Sequence, residues 1–230
     1  MIMTAMLLLA AVSGWAQDQS TSIPSIVTSG EAVVRRAPDV AYVTLAVETR
    51  AKAPRDAQAQ NAAAMAAVQQ RVAALGIPKD ALRTVGYTIQ QQFDYVNGRQ
   101  VPRDFVARNS LEVRLDGTER TGEVIDAGVQ AGATSVSDLR FDLKDRAGAE
   151  REALRLAVAD ARARADAAAA GAGRTVDRVL KIEDNRSVSE PPPRPMYARV
   201  ASAQVQAPET PVESGAIEIH QHVTLTVAIK

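Results

Sequence analysis

The spacing of apolar positions changes period several times along the chain, and each change marks an element. Between residues 41 and 48, Val43, Leu45 and Val47 fall on one face, with Tyr42, Thr44 and Glu48 on the other. A period of two predicts a half-buried strand. Pro38-Asp39 separates it from an earlier strand over residues 26–34, because proline has no N–H to give to a ladder. From Pro54 to Leu75 the period lengthens. Met65, Val68, Val72 and Leu75 stack on one side of a helix, and interspersed alanines raise its propensity. Gly76 suits the left-handed position past the helix end, and Pro78 prevents continuation. Alternation returns at residues 84–95, where Tyr87, Ile89, Gln91, Phe93 and Tyr95 share a face. Asn97-Gly98 is a hairpin-turn signal. The returning strand, residues 106–115, places Leu111, Val113 and Leu115 together.

The second half repeats this order. Residues 116–132 predict a short helix, with Asp116 and Glu119 spaced for a capping box and Val124, Ile125, Gly128 and Val129 as its apolar stripe. A strand over 135–143 follows, then a long helix over 147–170 with Leu154, Val158, Ala161, Ala165 and Ala168 along one face. Strands over 175–183 and 216–229 close the chain, the last with Ile217, Ile219, Val223, Leu225, Val227 and Ile229 facing one way. The prediction is an α+β fold. Two β-α-β-β units, about 40–115 and 135–229, are separated by a helix, and the helices pack on antiparallel sheet. Residues 186–214 interrupt the second hairpin. They carry Pro191-Pro192-Pro193, Pro195, Pro208 and Pro211, the composition of a flexible insertion with polyproline II character.

Composition narrows the function classes. Aromatic residues are only 3% of a chain that is 46% apolar, so the core is built from Val, Leu, Ile and Ala. Twenty-seven basic residues balance 27 acidic ones, which gives no reason to expect nucleic acid or an anionic membrane as partner. There is no cysteine, which removes disulfides, thiol nucleophiles, Cys-ligated metal and a lipoprotein anchor. Residues 1–16 read as a secretory leader, with the apolar run Met6–Val12 and Gly14-Trp15-Ala16 before a cut at Gln17. A polar tail, 17–25, leads into the domain, 26–230. No later stretch is apolar enough to cross a bilayer as a helix. The expected location is the periplasm, with association to the outer membrane as a further expectation.

Candidate chemistry is sparse. Glu218, His220 and His222 share a strand face and could offer three ligands to zinc or copper. The adjoining Thr224 and Thr226 make the same face an ordinary polar one. Asp142 with Asp145, and Glu183 with Asp184, fall at strand ends, where solvated turn carboxylates explain them better than an acid–base pair. No serine sits in a Gly-x-Ser-x-Gly elbow and no glycine-rich phosphate loop follows a strand. Arg162, Arg164, Arg174 and Arg178 are interspersed with Asp160, Asp166 and Asp177, a mixed solvated face. No catalytic residue and no cofactor are assigned.

Several motifs, in order, give the chain a family likeness. They are Ser29-Gly30-Glu31, then Pro38-Asp39-Val40-Ala41, the helix from Asn61 to Val72, and Gly76-Ile77 with Leu82-Arg83-Thr84. Further on come Val124-Ile125-Asp126-Ala127-Gly128, Phe141, and the run Glu152-Ala153-Leu154…Ala157…Ala161-Arg162-Ala163…Ala167. Together they resemble the SIMPL-domain family of bacterial envelope proteins, which includes periplasmic immunogenic and oxidative-stress-defence members. The resemblance implies a mixed α+β fold, a periplasmic location and, in some members, a ring-like or channel-like oligomer, with no enzyme activity established for the family. The expected function is therefore a non-enzymatic periplasmic protein that self-associates and supports envelope integrity or oxidative-stress tolerance. An envelope partner is expected at the 186–214 insertion. The alternative is a small-molecule or metal-binding module using Glu218, His220 and His222.

Overall fold

Pro38 divides one extended run between two sheets. Strand β1 (Ser25–Arg36) belongs to the first and β2 (Val40–Ala51) to the second. The computed structural model describes residues 23–185 and 210–230. The leader, the first part of the tail and most of the Pro-rich insertion lie outside the described residues. Asp39 ties the junction together. Its backbone N–H donates to the Asp142 carbonyl, its own carbonyl accepts from Gly117 N–H, and its carboxylate accepts from Lys144 N–H at 2.7 Å.

The remaining elements run α1 (Pro54–Ala74), β3 (Leu82–Val96), β4 (Arg99–Asp116), α2 (Thr121–Gln130), β5 (Ser135–Asp142), α3 (Arg146–Gly171), β6 (Val176–Asp184) and β7 (Ile217–Ile229). All strand pairs are antiparallel. One sheet has the order β3-β4-β2-β5 and the other β1-β7-β6. The element order expected for the two units is present, but the strands are shared out differently. β5 leaves the second unit and pairs with β2, while β1 takes the matching place beside β7.

The four-stranded sheet packs one face on α1 and α2. Val43, Leu45 and Val47 from β2 meet Leu111 and Val113 from β4, with Met65, Val68 and Val72 from α1 and Val124 from α2 above them. Asn61 lies within this layer, fully buried. Its side-chain amide donates to the Val47 carbonyl at 2.9 Å and to the Ala107 carbonyl at 3.0 Å, so one group clamps α1 to two strands. The expected capping box at Asp116 and Glu119 does not form. Asp116 ends β4 and pairs with Arg114, and Gly117 turns the chain at φ 101°. The helix starts only after Arg120, which has no side-chain cap.

The other sheet packs on α3, whose buried line is Ala149, Ala153, Ala157, Ala161, Ala165 and Ala169. Every fourth position is alanine, so the line is narrow and shallow. Leu154 and Val158, expected on the buried face, flank it half-buried, and Ala168 is exposed. The small residues admit β1 very closely. A Cβ on Gly30 would lie 2.2 Å from the Ala157 carbonyl oxygen and 2.3 Å from Ala161 N. The Thr28 hydroxyl donates to the Ala161 carbonyl at 2.9 Å beside that point. Backbone stands against backbone here, and no side chain can swing away to make room. Gly30→Ala should therefore force the helix off the sheet and cost about 2 kcal/mol of stability, read as a lower urea midpoint. The exposed neighbour variant Ser29→Ala should stay within about 0.5 kcal/mol.

Candidate functional site

The β3–β4 hairpin outruns the rest of its sheet. β2 ends at Ala51, opposite Phe105, so beyond that point β3 and β4 continue as a two-stranded ribbon. The sequence folds this way because alternation persists to a turn made for a hairpin. Asn97 (φ 50°) and Gly98 (φ 77°) both take the left-handed conformation, as a type I′ turn requires. Cross-strand bonds hold the ribbon. Arg103 pairs with Asp94 at 3.3 Å, and the Gln100 side-chain amide donates to the Tyr95 hydroxyl at 2.7 Å.

One face of this hairpin carries no charge. On β3 it presents Tyr87, Ile89, Gln91, Phe93 and Tyr95, and the residues opposite them on β4 are Asn109, Ala107, Phe105, Pro102 and Gln100. Between Gln91 and Phe93 the register shifts, with Arg103 and Asp104 set against the single residue Gln92. The extra residue is taken up on β4, so the alternation along β3 is unbroken. The charged residues Asp94, Arg103 and Arg108 belong to the other face. Tyr87 is 48% exposed, Phe93 46% and Tyr95 74%. The sequence placed the β3 residues on one face but did not single them out as a site. The available signal was clustering: residues 87–105 hold two of the chain's three Phe and two of its four Tyr.

The edge of the ribbon is also open. β3 is 15 residues long and has no neighbour on its outer side among the described residues. It contains no proline and no lysine, the residues that commonly blunt an edge. The β1 edge is treated differently, since the Glu31 N–H is covered by Asp160 of α3.

The polar face of β7 places Glu218, His220 and His222 as alternation requires, but Glu218 is already engaged. Arg35 of β1 donates to its Oε1 at 2.8 Å, and His220 Nε2 lies 3.3 Å from its Oε2. The hydrogen-bonded Arg35 guanidinium holds the Glu218 carboxyl below the ordinary glutamate value. His222 lies further along β7, opposite Glu31. Among the described residues, no group of three or more His, Asp or Glu is placed to hold a metal ion.

The other clusters are internally paired. Asp142 accepts from Arg140 and Arg146, Asp145 caps α3 by accepting from Gly148 N–H, and Arg162, Arg164 and Arg178 each meet an aspartate. A cleft of about 260 Å³ lies between Ile77-Pro78 and the end of β4. Its arginines are paired, Arg114 with Asp116 and Arg120 with Glu123 and the Leu75 carbonyl. No helix among the described residues is long and apolar enough to cross a membrane.

This two-sheet arrangement and its sequence place the chain in the SIMPL family, described as a protein family of unknown function (DUF541), whose signature spans residues 26–227. Among its relatives is the 26 kDa periplasmic immunogenic protein of Brucella melitensis, 29% identical over 222 residues, covering 93% of this chain and 88% of that protein. Another is the Escherichia coli protein named "Uncharacterized protein YggE", 26% identical over 210 residues, covering 90% and 84%.

The Arg35–Glu218 pair sets a titration. Because Arg35 favours the charged carboxylate, Arg35→Ala should move the Glu218 midpoint upward in a carbon-detected NMR titration. Any stability the pair contributes is present at neutral pH and is lost as pH falls through the lowered folded-state value of Glu218.

Proposed function

We propose that the protein is a non-catalytic periplasmic protein that self-associates through the open edge of β3 and supports envelope integrity or oxidative-stress tolerance. One observation carries the self-association: β3 offers 15 residues of edge strand, against 12 for β1, 8 for β5 and 9 for β6. An exposed edge of that length without proline or lysine is a template for a second strand. A second copy supplies one of the same length. The periplasmic location is supported by the name of the Brucella relative and by the secretory pattern at residues 1–16. The non-catalytic reading is supported by side-chain clusters whose charges are committed to one another.

The test uses substitutions on the exposed positions Gln90 and Gln92, which lie on the face opposite the aromatic stripe. Light scattering on the purified protein should give a mass above the 24.5 kDa of one chain. Gln90→Lys with Gln92→Lys should bring it down toward one chain, because lysine blunts an edge and repels its counterpart. A wild-type mass of one chain at high concentration would end the self-association reading. A multimer that ignores the lysines would move it to another surface.

A further inference from the structure

The uncharged face of the β3–β4 hairpin is left open by edge pairing, since a strand added beside β3 extends the sheet sideways and does not cover its faces. Its chemistry is specific. Rings and amides alternate along its open part: Gln91 stands between Ile89 and Phe93, and Gln100 lies across from Tyr95. The charges of the ribbon are all on the reverse side. A protein partner docking through an apolar core has no use for amides at this density, and would leave them short of partners. A charged ligand finds no counter-ion.

We infer that this face binds a neutral, β-1,4-linked polysaccharide chain. The apolar faces of pyranose rings present C–H groups, which suit the electron-rich faces of Tyr and Phe. Hydroxyl and acetamido groups at the ring edges suit side-chain amides, which both donate and accept. At about 3.4 Å per residue, Tyr87 to Tyr95 spans about 27 Å along the strand, the length of several pyranose rings. A β-1,4 chain is extended, as a strand pair is, and can run along it, whereas an α-1,4 chain coils away from it. The bond from Gln100 fixes the Tyr95 side chain across the hairpin and leaves its O–H free to donate to a ligand. This inference does not depend on self-association. If β3 edges do pair, two such faces are joined into one longer platform.

The test is titration calorimetry of the purified protein with chitohexaose and cellohexaose, with maltohexaose as the coiled control, together with amide chemical-shift mapping. Saturable heat is expected with at least one of the β-1,4 hexamers and none with maltohexaose, with shifts confined to β3 and β4. Phe93→Ala and Tyr95→Ala, both at exposed positions that the core does not need, should each weaken binding at least ten-fold. The Gln90→Lys/Gln92→Lys variant should bind unchanged even if its mass falls, which separates this inference from the edge-pairing reading. Absence of heat with both β-1,4 hexamers would overturn the inference, as would binding that survives both alanine substitutions. If instead those alanines lower the mass in light scattering and no glycan binds, the face is a contact between copies and the inference is wrong.

Discussion

The contact between Gly30 and α3 is the constraint on which the second sheet rests. β1 has no share in the first sheet's core, and its place beside β7 is secured by lying almost against the helix backbone at Ala157 and Ala161. Only a glycine facing an alanine line allows that distance. The close approach brings the Thr28 hydroxyl to a helix carbonyl and the Glu31 N–H to Asp160. These bonds tie β1 to the helix and fix the helix over β1 and β7, which leaves β6 and its Val179 and Ile182 outside the helix's cover.

Much of this was legible in the sequence because periodicity reports local geometry. The two periods located most strands and the three α-helices among the described residues, and Asn97-Gly98 located the ribbon's turn. The sequence did not reveal which sheet each strand would join, because periodicity reports only local conformation, and the choice is made by distant partners. It misjudged the buried line of α3 for a related reason. Leu154 and Val158 outrank alanine in hydrophobicity, but the sheet comes too close to accept them at the centre, so they are pushed to the flank. The capping box at Asp116 and Glu119 had the right spacing, but Gly117 spends those residues on a turn. At the polar face of β7 the sequence paired Glu218 with the histidines. The cation that actually engages it, Arg35, lies 183 positions away in the chain.

The molecule separates its polar and apolar work by face as well as by depth. Oppositely charged side chains are paired over the helix surfaces and strand ends, mostly in solvent, where each pair contributes little to stability. They do define where charge is not wanted. The hairpin follows this division closely, with its ion pair on one side and rings with amides on the other. A two-stranded ribbon is only marginally stable by itself. Its order here comes from the turn, from the Asp94–Arg103 and Tyr95–Gln100 links, and from the anchored half of the same strands over α1.

The exchange of β1 for β5 has a consequence in time. Ser25 pairs with Ala228, so β1 has no ladder until β7 is in place. The four-stranded sheet needs nothing beyond residue 142 for its own strands, whereas the three-stranded sheet cannot form until its central strand, β7, joins it. Contacts so distant along the chain are slow to form. Until they form, β1 and the alanine helix have no finished surface to hold them.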